Sequence, residues 1–407
     1  MMCKIMDDPN YSLSEIKKRI VENVEGLSKE INHIAKLLYD NPETAYEERK
    51  ACAWLAEYLS QNGFVPEKAV GGVETAFLAR PRGVEPRKPQ VAFLAEYDAL
   101  PKIGHGCGHN LIAAASVGAA VALFRSWPQV AGSLLVVGTP AEEGGGGKAI
   151  LADAGVFQDI DAAFMFHPGR FNHLGTDSFG RIKVKIEFFG RPSHAAASPE
   201  KGLNALDAIV GAYNNVSAMR QQLPSDTRLH GIITHGGEAP NVIPDYTAGL
   251  YYLRAQDRGH LKDLYRKFEE CCHGAALATG CRCQITVQPP SLDPMKRNKT
   301  LEEVWRRNLV SLDIEPDYHP TGQGSTDLGN LSQLLPVIQP FLGICPEHVF
   351  LHTKEFAEAT QRPKGEMALL AAAKLLALTA CDYLGFEDIQ KAAAAEFAGE
   401  SPPVVGK

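Results

Sequence analysis

The chain has 407 residues, 45% of them apolar and 22% charged, with 41 Lys and Arg against 48 Asp and Glu for a formal net charge of −7. That length exceeds one ordinary core and predicts two or three domains, while the composition excludes a disordered, collagen-like or coiled-coil chain. A mildly acidic chain with no Lys/Arg block longer than three residues has no electrostatic footprint for nucleic acid and no polybasic membrane patch.

Apolar residues at helical spacing (Ile16, Ile20, Val24, Leu27, Ile31, Ile34, Leu37) predict one long helix over about 13–39, broken by Asn41-Pro42-Glu43. An amphipathic helix over 47–62 ends at Gly63, and short β-like runs follow at 75–80 and 91–96. The next helix, 110–126, contains the longest apolar run, 14 residues from Leu111 to Phe124, which is too short to cross a bilayer and reads as a buried core helix. Strands at 133–137 and 162–166, with helical residues between them to about 154, complete an alternation that predicts parallel strands covered on both faces. At about Ser178 the texture changes: Arg181 to Phe189 alternates strictly, so one face of that strand is expected to be wet. A helix at 203–222, strands at 229–234 and 247–255, a helix at 261–278 and a strand at 282–288 complete a β-α-β-β-α-β domain inserted in the chain. From about Leu301 the α/β texture resumes, ending in a helix over 366–384 and a tail after Gly399 expected to be disordered. The expected division is an α/β domain in two parts, 1–178 and 291–407, around an inserted α+β domain at 179–290.

The first eight residues carry Lys4, Asp7 and Asp8 and no apolar stretch, so no secretory signal is expected and the compartment reads as the cytoplasm. Nine cysteines without a Cys-x-x-Cys pair read as reduced thiols, Cys3 included. Cys281 and Cys283 have no second pair at zinc-finger spacing and are expected to be structural.

Three polar clusters follow three apolar strands directly. The first holds Gly104-His105-Gly106-Cys107-Gly108-His109-Asn110, the second Pro140-Ala141-Glu142-Glu143-Gly144, and the third His167-Pro168-Gly169. In open α/β sheets ligands bind beyond the carboxyl ends of the strands, so these segments converge. A thiolate and an imidazole both suit a borderline divalent metal. On an extended chain the adjacent Glu142 and Glu143 point to opposite sides, which suggests one ligand and one general base. Glycines 144–147 before Lys148 do not meet the phosphate-loop pattern, because Ala149 follows the lysine. There is no Gly-x-Ser-x-Gly elbow and no zinc-deaminase signature.

The sequence resembles the M20 metallopeptidase family, which includes dipeptidases, aminoacylases and amidohydrolases. The resemblance rests on Asn41-Pro42-Glu43 with Tyr46-Glu47-Glu48, Gly104 to Asn110, Pro140 to Gly144, His167-Pro168, Gly190 to Pro199, Ala239 to Pro244, Gly324 to Asp327, and His352-Thr353 with Glu355-Phe356. It implies a catalytic domain with a mixed sheet covered by helices, plus a ferredoxin-like lid and dimerisation domain. It further implies two divalent metals, Zn2+ or Mn2+ first and Co2+ or Ni2+ as alternatives, held by Cys107, His109, Glu143, His167 and His352. Glu142 would be the general base, and His194 would stabilise the oxyanion, in many members across a homodimer interface. Asn241 and Arg254 match positions that hold the substrate's carbonyl or carboxylate, and Gly324 to Asp327 borders the pocket. One departure stands out: where many members carry His-x-Asp-x-x-Pro, this chain has Glu96-Tyr97-Asp98-Ala99-Leu100-Pro101, with His109 expected to supply the missing imidazole. The implied reaction is amide hydrolysis in a small substrate with a free carboxylate, a dipeptide first. An N-acyl amino acid or aryl-amide substrate is the alternative, and an inactive binding protein the remote one.

Overall fold

The computed structural model describes residues 12–317 and 324–400; the readings of the first eight residues, Cys3 and the tail from Ser401 lie outside them. The described residues form two units. The larger comprises residues up to Asp177 with most of the chain from Lys296 onward, and the smaller Ser178–Met295 with 324–329. Residues 324–329 thus belong to the smaller unit, although their position in the chain groups them with 291–407.

The larger unit is built on a six-stranded sheet in the order Phe64–Lys68, Phe77–Pro81, Leu134–Thr139, Val91–Glu96, Ala162–Phe164, Val337–Ile338. The last four strands are parallel, and Phe77–Pro81 runs antiparallel to both of its neighbours, so the sheet is mixed rather than all parallel. The helix His109–Ser126 is buried on nearly every side, as its uniformly apolar sequence requires. It packs against Pro363–Gly385. That second helix is the one among the described residues long and apolar enough to cross a membrane by composition, yet Leu369, Ala372, Leu375 and Leu376 are wholly buried in the core.

Three expectations are corrected here. The predicted helix over 13–39 is two, Leu13–Gly26 and Ser28–Asp40, hinged at Leu27. Leu27 is itself buried, so the apolar period runs through the break. The strand Phe64–Lys68 is not marked by sequence pattern, because its Pro66, Glu67 and Lys68 are polar or ring-locked and lie toward solvent at the sheet edge. His167 does not follow the strand 162–166; that strand stops at Phe164, and His167 opens a second one, His167–Gly169, paired with Phe341–Gly343.

The smaller unit is a four-stranded antiparallel sheet in the order Arg282–Leu292, Gly180–Phe189, Tyr246–Ala255, Thr227–His235. Helices Ala205–Met219 and Arg258–Thr279 bury Val184, Ile186, Phe188, Tyr251 and Leu253 against Ile209 and Phe268. Arg181, Lys183 and Lys185 on the other face are half-buried rather than wet.

Candidate metal centre

The parallel strands Val91–Glu96, Leu134–Thr139 and Ala162–Phe164 end on one side of the sheet, with Glu96 paired to Thr139 at that end. Their loops bring the polar clusters together. Gly108, at φ +75°, caps the helix His109–Ser126 and separates Cys107 from His109. A Cβ at Gly108 would collide with Pro168, so only glycine lets this loop lie against the His167 strand. The far segment joins through the backbone: His352 N–H donates to Gly106 O at 2.9 Å.

Three groups of candidate ligand atoms result, each within 4.8 Å: Cys107 with His109 and His167, Cys107 with Glu143 and His352, and His109 with Glu142 and Glu143. All six residues expected at the metal centre of the larger unit are brought together. The premise that Glu142 and Glu143 point to opposite sides fails, because they lie in a turn that follows Ala141 at φ +60°. What separates them is their company, since Glu143 also groups with Cys107 and His352.

The surroundings fit a cation. His109 Nδ1 donates to Asp98 Oδ1 at 2.9 Å, and Asp98 Oδ2 accepts the Glu143 N–H at 2.8 Å. One buried carboxylate thereby orients an imidazole and the neighbouring carboxylate's backbone. Among the described residues this leaves His109 Nε2 and Glu143 Oε1 buried with no conventional N or O hydrogen-bond partner, only the Cys107 thiol beside them, a costly arrangement unless they face a positive charge. Burial opposes the imidazolium of His109, but Asp98, by charge and by hydrogen bond, raises its pKa well above that of free histidine. Burial, reinforced by His109, pushes His167 down to about 4, so its ring is neutral and donates Nδ1–H to Pro168 O at 2.7 Å. Burial pushes the Cys107 thiol pKa far up, so a thiolate forms there only against a cation.

Two groups that the sequence left without a role hold the acidic turn. Glu48, wholly buried, accepts the Ala141 N–H at 2.9 Å and the Thr75 hydroxyl at 3.0 Å. Tyr46 donates its hydroxyl to Gly145 O at 2.6 Å. The segment 46–48 therefore grips both ends of the turn that carries Glu142 and Glu143. Burial, with the charge of Asp98, pushes Glu48 up to about 7.

In the smaller unit His194 is exposed, with its Nδ1 accepting from the N–H groups of Ala196 and Ala197. Asn241 lies beside it, its carbonyl accepting the Ala195 N–H at 3.0 Å. Arg254 is half-buried and donates to Ser325 Oγ at 2.5 Å, which joins it to the Gly324–Asp327 segment.

Residues 92–379 match the model of peptidase family M20/M25/M40. The chain belongs to that family. It is accordingly a hydrolase of peptide or amide bonds. It is 39% identical to an Xaa-Arg dipeptidase of Mus musculus over 91% of this chain and 90% of the relative, and 38% identical to the Homo sapiens protein of that name over 91% and 89%. It is 33% identical to one component of the p-aminobenzoyl-glutamate hydrolase of Escherichia coli over 73% of this chain and 65% of the relative. Among solved structures, a dinuclear metal-binding M20 peptidase of Bacillus subtilis shares the fold with a TM-score of 0.63 at 18% identity, covering 86% of this chain and 99% of that one.

In this M20 chain the Glu96 departure has a structural counterpart. Glu96 forms an ion pair with Lys148, both wholly buried, and its other oxygen stands 3.6 Å from His109 Nε2, beyond hydrogen-bonding distance. The glycine run serves this pairing: Gly147 lets the helix Gly147–Asp153 start against Pro140, where a side chain would not fit. Lys148, which fits no phosphate-loop pattern, proves to be a core cation. Its signal was the acidic residue in place of a histidine at position 96, which needs a counter-charge when buried.

Proposed function

We propose that this enzyme is a metal-dependent dipeptidase. The reading is carried by the overlapping ligand groups that share Cys107 and His109, together with the buried His109 Nε2 and Glu143 Oε1, which among the described residues have no N or O hydrogen-bond partner. Cys107, His109, Glu143, His167 and His352 would hold two divalent ions, zinc or manganese first, with cobalt or nickel as alternatives. Such ions supply Lewis acidity to the scissile carbonyl and to the attacking water. Glu142 takes the water proton and returns it to the leaving amine nitrogen. His194 and Asn241 donate to the carbonyl oxygen, and Arg254 to the substrate carboxylate, roles that follow from the family pattern. The Xaa-Arg dipeptidase relatives support a dipeptide with a C-terminal cationic residue. The p-aminobenzoyl-glutamate hydrolase relative keeps an aryl-amide substrate as the second reading.

Purified protein with its metal content measured is expected to turn over Xaa-Arg dipeptides at least tenfold better than N-acyl or p-aminobenzoyl amino acids; the reverse ranking selects the second reading. Arg254→Ala is expected to raise KM about tenfold or more with kcat little changed. That is the order of one charge-assisted hydrogen bond, about 1.5–3 kcal/mol. An unaltered KM removes Arg254 from the substrate site.

We further infer a cytoplasmic homodimer paired through the smaller unit. Support comes from the strand Thr227–His235, which stands at the edge of its sheet among the described residues and exposes Ile232 and Ile233. Sedimentation equilibrium should give twice the chain mass, and a fully active monomer would exclude the pairing.

A further inference from the structure

Strand register in the smaller unit places three arginines directly opposite one another: Arg228 against Arg254, and Arg254 against Arg181. Like charges facing across strands repel, and a sheet keeps such a row only where something compensates. Among the described residues no carboxylate does so. Arg254 donates to Ser325 Oγ, Arg228 donates to the carbonyls of Ser225 and Thr227 and packs over Phe179, and the Nε–H of Arg181 is buried without an acceptor. The next position along this face adds Lys183, paired with Tyr252, which in turn faces His230.

Tyr252 organises the centre of the row. The guanidinium of Arg181 lies 5.6 Å from its ring centroid and that of Arg254 5.7 Å. Two planar forks are thus held against one aromatic ring on neighbouring strands, with rotamer freedom already spent on stacking. A carboxylate is the group whose two oxygens match such forks.

We propose that Arg181 is a second carboxylate-binding residue, forming with Arg254 a two-guanidinium seat beside Tyr252 for the free α-carboxylate of the peptide substrate. The seat rests on the dipeptidase reading above and extends it: one arginine holds a carboxylate, whereas two discriminate against a substrate that lacks one. Arg181 is a specificity residue in this scheme and takes no part in bond breaking. The seat supplies charge and hydrogen-bond donors only.

The test compares a free-acid dipeptide with its C-terminal amide in wild-type enzyme and in Arg181→Ala, Arg181→Lys and Arg254→Ala. Metal loading and circular dichroism are checked for each. The expected result is a tenfold or larger rise in KM for the free acid in Arg181→Ala, with kcat within threefold, KM for the amide unmoved and partial recovery in Arg181→Lys. Inorganic phosphate should inhibit wild type competitively and Arg181→Ala weakly. If Arg181→Ala keeps the wild-type preference for acid over amide, or loses both substrates equally, the second arginine is overturned while the dipeptidase reading stands. If Arg181→Ala does not fold, an unchanged acid-to-amide ratio in Arg181→Lys overturns it instead. If wild type does not prefer the free acid at all, the carboxylate reading and the seat fall together. Phosphate binding that is not competitive with substrate assigns the row to a free anion and overturns the proposal.

Discussion

Glu142→Ala should keep its metal and lose about 10²–10⁴-fold in kcat, the range for removal of a general base. Metal should stay because Glu142 enters none of the ligand groups containing Cys107. The turn is also held by backbone contacts and by side chains other than Glu142. Gly144 N–H donates to Glu142 O at 2.6 Å, Glu48 holds Ala141, and Tyr46 holds Gly145. Glu142 is half-exposed, so little stability is at stake. Initial rates measured beside elemental analysis decide the matter. Full metal with unchanged turnover would mean that another group takes the water proton.

His109→Ala should do more damage, through two separable effects. It removes a ligand common to two of the three groups, so metal and activity should fall below detection. It also strips Asp98 of its imidazole partner in a site where both are essentially inaccessible. Breaking a buried charged pair from one side costs about 3–5 kcal/mol, since the surviving charge stays buried. Asp98 then keeps the Glu143 N–H, at 2.8 Å, as its hydrogen-bond partner from the acidic turn. Urea unfolding in the presence of a chelator isolates this second effect, because neither protein then carries metal. His352→Ala is the matched control: its side chain is 59% exposed, so it should lose metal affinity with little change in apoprotein stability. Equal midpoints for apo wild type and apo His109→Ala would show that the Asp98–His109 pair does not support the fold.

Much of the site was legible because its chemistry is local. Cys107-Gly108-His109 and the paired glutamates lie in loops that follow apolar strands, a placement that needs only short-range pattern, whereas His167 opens a strand of its own. The β-α-β-β-α-β order was equally open to reading, since hydrophobic period records which face of each element is covered, whereas period predicted parallel strands and the mixed sheet was implied only by the family resemblance. Period does not say which distant polar group meets a buried one. The Leu27 hinge shows the limit within a single element, where a buried residue carries the apolar stripe across a break.

By itself, then, the sequence of this M20 chain determined the residue types available for metal binding and proton transfer, and the strands whose ends present them. Tertiary structure alone decided their partners. Asp98 reaches His109 across a loop, Lys148 neutralises Glu96 from another element, Glu48 grips Ala141 from ninety-three positions away, and Arg181 meets Arg254 only through strand register. The physical reason is that burial makes an unpaired charge or donor expensive whatever its place in the chain. Each such group must be answered by whichever polar atom the fold brings within reach, and no spacing rule along the chain encodes that choice.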